Sequence, residues 1–254
     1  MRKTLLTLAA TLCAAVTVSA QNITVGKISA ESNRTIKGAS CDCMDNYVAI
    51  SVEIDAPTAA VASKSPKLYN AIMGFLTKET GLSAAALKSK AALDGAVKSR
   101  CNAKAEPFEE RISIEKVYED DKYVSFSVYH YRMKCENVHG LASDYGVTFR
   151  KSDAHRLTWA DFSKTEALRK AVTRNLVRSD EGEEVRIGDV TSYMEDCDEC
   201  RLSDGSYAFK LPETVPHLTS RGWCFSYQPY ETPLMGMYAI WSYVKNVDII
   251  SWDF

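Results

Sequence analysis

The stretch RISIEKVYEDDKYVSFSVYHYRM, Arg111 to Met133, constrains the fold more than any other part of this 254-residue chain. Two runs of alternating apolar and polar residues flank the polar Glu119-Asp120-Asp121-Lys122, which is the pattern of a β-hairpin. In the second arm Tyr123, Ser125, Ser127, Tyr129 and Tyr131 fall on one face, with Val124, Phe126, Val128 and His130 on the other. One face therefore carries a row of tyrosines.

The elements around the hairpin set the fold class. Tyr47 to Ile54 alternates as a strand, closed by Pro57. SPKLYNAIMGFLTKETG predicts a helix with Ser65 as N-cap, Pro66 at the first helical position, Leu68, Ile72, Phe75 and Leu76 on one face, and Gly81 as the stop. A second helical stretch runs from Ser83 towards Pro107. DYGVTFRKSDAHRLTWADF reads as a strand, a polar turn and a connector; SKTEALRKAVTRNLVRS reads as a helix capped by Ser163 with Glu166 in the capping-box position. No regular βαβ alternation appears, so the expectation is α+β, with an antiparallel sheet packed against amphipathic helices. Residues 21–254 are expected to form one module, with an N-terminal part (21–110) and a C-terminal part (111–254), folded as one larger or two small subdomains.

The first twenty residues, with Arg2 and Lys3, an apolar run and Val18-Ser19-Ala20, form a secretory signal cleaved after Ala20. Leu12 before Cys13 argues against lipid attachment. Removing this segment, which holds two basic residues and no acidic one, leaves 234 residues with a net charge of −4. No basic run provides a footing for nucleic acid, and no later apolar stretch is long enough to cross a bilayer. Export and the absence of an anchor place the chain in the periplasm or outside the cell.

Seven cysteines remain: Cys41, Cys43, Cys101, Cys135, Cys197, Cys200 and Cys224. An exported chain with this count is expected to hold at least two intramolecular disulfides and one unpaired thiol. Cys197 and Cys200 either bridge each other or reach Cys41 and Cys43; the same four thiols are the alternative of a zinc site. Acidic neighbours Glu195, Asp196, Asp198 and Glu199 would raise a thiol pKa, which disfavours redox catalysis at this C-x-x-C. The four histidines are not at metal-ligand spacing, and no nucleophile elbow, zinc-protease helix or phosphate loop is present. Catalytic residues, metal and cofactor are therefore all expected to be absent, while a cysteine–histidine pair assembled only in space stays open.

Asp180 to Cys200 holds nine acidic residues and one arginine, Arg186. It is either a solvated loop or a landing patch for a cationic partner, with Glu183, Glu184, Asp196 and Asp198 as its candidate contacts. In the tail, Phe225, Trp223 and Trp241 are expected in the core. Tyr227, Tyr230 and Tyr243 carry a hydroxyl that is either satisfied inside or offered to a ligand.

The tail RGWCFSYQPYETPLMGMYAIW resembles the ending of a secreted family, the domain of unknown function 3298 type. Phe225, Tyr227, Gln228, Tyr230 and Glu231 match its F-x-Y-Q-x-Y-E strand, and Gly236 its loop glycine. Upstream, VYHYRMKCENVHGLASDYGVTFRKSDAHRLTWADFS is similar to the family's strand, G-G-A-H-G turn and connector; of that turn only His139 and Gly140 remain, with Glu136, Asn137 and Val138 replacing the rest. The resemblance implies a module like those in the outer parts of lysozyme-sensing anti-sigma factors and beside peptidoglycan deacetylase domains. The chain has no room for a deacetylase domain after this tail. On that basis the expectation is a secreted non-catalytic binding module of the bacterial envelope. Its partner would be a basic lysozyme-like protein or a peptidoglycan fragment, and Tyr230, Glu231 and His139 would join the acidic contacts. The alternative is an envelope hydrolase or deacetylase-like enzyme with a dispersed site.

Overall fold

The structure is a computed structural model describing residues 22–37, 45–135, 137, 139–180, 183–188, 190–195, 197–232, 234 and 240–249. The leader and its expected cleavage site, Cys41, Cys43, Glu136, Val138, Asp196 and Gly236 lie outside the described residues. No described helix is long and apolar enough to cross a membrane.

The first sheet has the order β1-β2-β3-β4-β5. β1 (Val25–Thr35) pairs antiparallel with β2 (Tyr47–Pro57) along its whole length. β2 buries Val48, Ile50, Val52 and Ile54, every second residue, so one face is core. Helices α1 (Ala59–Lys64), α2 (Pro66–Thr80) and α3 (Lys90–Asn102) then carry the chain to β3 (Phe108–Glu119), which lies parallel to β2. β4 (Tyr123–Lys134) and β5 (Leu141–Arg150) complete the sheet as an antiparallel meander. The expected hairpin turn at residues 119–122 is present, and β2/β3 is the parallel exception in an otherwise antiparallel sheet.

Local sequence explains the helices. α2 starts at Pro66 and stops at Gly81, whose φ of 65° lies in the left-handed region and whose N–H donates to the Thr77 carbonyl. It buries the predicted face, and Phe75 packs its ring on Phe126 and Phe149 at 6.2 and 5.9 Å between centroids. α3 is shorter than the pattern predicts. Ser89 caps it by accepting the Ala92 N–H, and Ala86–Lys88 before it is a 3-10 turn.

A buried carboxylate locks α3 to the sheet. Glu110 on β3 is fully buried, with His130 Nε2 at 3.1 Å and Arg132 Nη2 at 3.0 Å from one oxygen. Arg100 of α3 lies 2.8 Å from the other, out of line for a hydrogen bond, so that contact is Coulombic. Burial alone would push the Glu110 carboxyl up; His130, Arg100 and Arg132 outweigh it and hold the group below the ordinary carboxylate range.

The second sheet has the order β7-β6-β10-β9-β8, all antiparallel. A 3-10 turn at Trp159–Asp161 leads into it, closed by a capping box between Thr158 and Asp161. α4 (Glu166–Arg174) is capped by Thr165, which accepts the Leu168 N–H at 3.1 Å. The expected cap, Ser163, instead gives its N–H to the Asp248 carbonyl, and Glu166 binds Ser203 rather than closing a capping box. The strands are β6 (Leu176–Asp180), β7 (Glu183–Arg186), β8 (His217–Thr219), β9 (Gly222–Tyr227) and β10 (Ile240–Val244).

Each sheet has its own core. Residues from Ile23 to Phe149, including the faces of α1 to α3, form one; residues from Leu157 to Val244, with Leu168 and Val172 of α4, form the other. The passage between them falls between Phe149 and Leu157, so residues 108–119 belong with the N-terminal sheet. In the second core Phe162 meets Trp223 edge-on at 5.0 Å. Trp223 and Phe225 are buried there as the sequence predicts. Trp241 is not: it is half-buried, on the opposite face of β10 from core residues Ile240 and Val244.

Cys197 and Cys200 form a disulfide, with Cα atoms 5.2 Å apart, and Cys135 is disulfide-bonded as well. Because Cys197 and Cys200 are joined to each other, they are not ligands of a four-thiolate zinc site. The expectation of one unpaired thiol is corrected: Cys101 and Cys224 are both free and buried. They are kept apart by the fold, Cys101 in the first core beneath the Val48 carbonyl and Cys224 on β9 of the second sheet.

Glu110→Ala strands three basic groups around an empty buried site, and it is expected to lower unfolding free energy by about 3–5 kcal/mol in urea denaturation monitored by circular dichroism.

Candidate binding site between the two sheets

Where β8 and β9 cross β3, β4 and β5, the sheets meet face to face. Strand alternation determines what they present. From the first sheet come Ser113 and Glu115 of β3, Ser125, Ser127 and Tyr129 of β4, and Asp144, Gly146 and Thr148 of β5, which are in register with one another. The tyrosine face of the hairpin is thus the inner face. From the second sheet come His217, Cys224 and Tyr243, three residues in register across β8, β9 and β10, with Ser226 and Trp241 in the next row.

The junction is polar and closely fitted. The Gln228 amide grips the backbone of Asp144, accepting its N–H at 3.2 Å and donating to its carbonyl at 2.9 Å. The Leu218 N–H donates to Thr148 Oγ1 at 3.0 Å, which shares a hydrogen bond with Ser125 Oγ at 2.8 Å. The His217 ring sits directly over Gly146, where a Cβ would come within 2.2 Å of the imidazole, so a side chain at 146 would force the sheets apart.

Beyond this contact the sheets enclose an open cleft of about 490 Å³. Tyr129, Trp241 and Tyr243 bring aromatic rings to it, and Glu115, Asp144 and Glu184 bring carboxylates, with Ser113, Ser127 and Thr219 between them. Tyr243 donates to Glu184 Oε1 at 3.2 Å, and Arg221, stacked 3.7 Å from the Tyr243 ring centroid, pairs with the same carboxylate.

Burial controls the charge states. The Asp144 carboxyl is pushed up to about 6 by desolvation. His217, whose Nδ1 has no hydrogen-bond partner, is pushed down to about 4 and stays neutral. The Cys224 thiol is raised to about 12, by burial first and by the Asp144 charge in addition. A nucleophilic cysteine requires the reverse, a lowered thiol pKa beside a histidine able to take the proton. The spatial cysteine–histidine pairing left open by the sequence thus exists in register across β8 and β9, with burial lowering the imidazole pKa and raising that of the thiol.

The sequence-chosen residues are dispersed. Glu184 alone lines this cleft. Glu183 is exposed on β7, and Asp198 begins a 3-10 turn at the disulfide. The acidic stretch is partly neutralised, since Glu184 pairs with Arg221 and Glu199 with Lys210. His139 contacts the adjacent Gly140 carbonyl through Nδ1 at 3.3 Å, within its own turn. Glu231 accepts the backbone N–H groups of Gln228, at 2.7 Å, and Glu213, so it ties the loop after β9. Tyr227 is satisfied inside, donating to the Lys210 carbonyl at 2.7 Å, while Tyr230 is exposed. His217, Asp144 and Cys224 have no local sequence signal; only the tyrosine and serine face of β4 pointed to a polar inner face. Among the described residues no three His, Cys, Asp or Glu side chains gather as metal ligands.

No family model and no curated protein matches the chain. Solved structures similar to it include two of the DUF3298 family. A member of the DUF3298 family from Bacteroides fragilis NCTC 9343 superposes with a TM-score of 0.54 at 14% identity, covering 89% of this chain and 92% of that one. A DUF3298 family protein from Pseudomonas aeruginosa PAO1 gives a TM-score of 0.46 at 12% identity, over 82% and 84%. The shared fold of the Bacteroides protein agrees with the DUF3298-type resemblance carried by Phe225 to Glu231.

The two shifted groups oppose each other in acid. Asp144, raised in the fold, is a cost at neutral pH that is relieved as pH falls from about 6 towards about 4. His217, depressed in the fold, supports stability above about pH 6.5, and that support is lost as pH falls towards about 4. Asp144→Asn is therefore expected to stabilise at pH 7 by roughly 1–2 kcal/mol, after discounting for partial exposure. It should also make the loss between pH 6.5 and 4 steeper, as read by urea unfolding at both pH values.

Proposed function

We propose that this protein is an exported, non-catalytic binding module of the bacterial envelope with a DUF3298-type fold, and that its inter-sheet cleft takes a cell-wall-related saccharide. The observation that carries this reading is the lining of the cleft. Aromatic rings offer faces to the C–H side of a sugar, and carboxylates and hydroxyls accept and donate at its rim. The cleft volume lies in the range of small-molecule sites. The suppressed thiol and imidazole argue against nucleophilic chemistry at the same place. A saccharide fits better than a basic lysozyme-like protein, because Glu184 and Glu199 of the acidic stretch already have cationic partners. Export rests on the leader sequence.

Titration of the protein with solubilised envelope saccharides, followed by tryptophan fluorescence and calorimetry, is expected to show saturable binding. Tyr129→Ala, which removes an exposed ring from the wall of the cleft, should weaken it about three- to tenfold. Absence of saturable binding rejects the reading, and accumulation of cleaved or deacetylated saccharide would establish the hydrolase or deacetylase-like alternative.

A further inference from the structure

β7 closes one end of the second sheet, and among the described residues nothing pairs with its outer edge. All of its residues are exposed. The ladder to β6 determines which backbone groups face outward. One step beyond the Val177–Arg186 pair, the Ile187 N–H donates to the Leu176 carbonyl at 2.9 Å. These opposite residues are thus a hydrogen-bonded pair, and by alternation so are Val185 with Arg178 and Glu183 with Asp180. The N–H and C=O groups of Glu184 and Arg186 therefore point away from β6, along the open edge, which is a template for another strand.

Side chains alternate along the same edge. Glu184 and Arg186 lie on the face that bears Trp241 and Tyr243, and Val185 lies on the other. Val185 is 41% exposed and borders a pocket of about 330 Å³ together with Tyr193 and Tyr230, two further exposed side chains. Large apolar side chains are seldom exposed among the described residues, and three that are gather beside this edge. Edges that repel other strands carry lysine or proline. This one carries a carboxylate and a guanidinium two residues apart, with a valine between them.

We infer that this edge is a docking surface for a second copy of the chain, joined β7 to β7 in antiparallel pairing about a two-fold axis. Symmetry restricts the register. The axis is perpendicular to the sheet, so facing residues share a face and the pairing centres on a residue. Centring on Glu183, Glu184 or Arg186 sets like charges directly opposite each other, which is destabilising. Centring on Val185 sets it against its own copy, and sets Glu184 against Arg186 of the second copy on both sides of the axis. The backbone is satisfied in the same register. Glu184 and Arg186, whose polar groups point outward, become the hydrogen-bonded pairs, and Val185 forms the close pair between them. Arg186 donates from Nη2 to the Arg174 carbonyl at 3.0 Å, which uses one of its five donors. Glu184 accepts from Tyr243 and pairs with Arg221, and its carboxylate has lone pairs for a further partner. The two five-stranded sheets become one, with both inter-sheet clefts on the same face of it.

Sedimentation velocity of the whole protein over a concentration series is expected to show a reversible monomer–dimer equilibrium. Arg186→Glu, which sets carboxylates opposite each other, should raise the dimer dissociation constant about tenfold. Register is read by cysteine trapping under mild oxidation, followed by non-reducing electrophoresis. Val185→Cys should give a covalent dimer, because the facing Cα atoms are about 4.5 Å apart, within disulfide reach. Glu183→Cys should not, because the two copies of that position are offset along the strands by roughly 13 Å. All of these substitutions are at exposed positions, and sedimentation of the unaltered protein tests the inference without them. A monomer at every concentration up to about 1 mM, a dimer indifferent to Arg186→Glu, or trapping through Glu183→Cys as readily as through Val185→Cys overturns the inference.

Discussion

The contact of the His217 imidazole with Gly146 fixes how the two sheets sit together, and the rest of the architecture follows from that spacing. Each sheet already has an apolar core on its helix-covered side, so little hydrophobic area is left to drive one sheet onto the other. The joint depends instead on directional contacts: the Gln228 amide on the Asp144 backbone, and the Leu218 N–H on Thr148. Such contacts define position and orientation more sharply than apolar area does, because each buried polar group left unpaired carries its full desolvation cost. The small residues of β4 and β5 admit the close approach. Where they give way to Tyr129 and Glu115 the sheets separate and the cleft opens.

Buried ionisable groups perform two distinct tasks here. Glu110 is charged and surrounded by three basic partners, so it fastens α3 to β3 and β4. Asp144, His217 and Cys224 lack such partners, and desolvation drives each towards its neutral form. His217 and Cys224 are thereby neutral at pH 7, while Asp144, raised only to about 6, keeps most of its charge there at a cost in stability.

Much of the fold was legible in the sequence because local and tertiary signals agree there. The β3/β4 hairpin ends at the polar tetrapeptide, α2 runs from Pro66 to the Gly81 stop, and β2 alternates as read. β1 was not legible. It is a sheet-edge strand in which only Ala30 is fully buried, so it carries almost no apolar alternation. The cap of α4 is Thr165 rather than Ser163, because the helix begins at Glu166 and it is the Thr165 hydroxyl that meets the Leu168 N–H. Of the candidate site, the tyrosine row and the tail motif were visible. Glu231 proved to be the tie that shapes its loop. His217 and Asp144 were invisible because they come together only when separate sheets stack, and nothing in their local spacing records that.

The parallel pairing of β2 with β3 bears on how the chain reaches this state. The β3/β4 hairpin closes across a three-residue turn, whereas β3 can join β2 only after the 50 residues between Pro57 and Phe108 have been gathered in. Loop closure makes the distant pairing slower and entropically costlier than the local one. The β3-β4-β5 meander is therefore the natural nucleus, on which α2 and α3 condense and deliver β2 and then β1. Since the same meander supplies one wall of the cleft, the surface on which the second sheet docks is prepared before that sheet arrives.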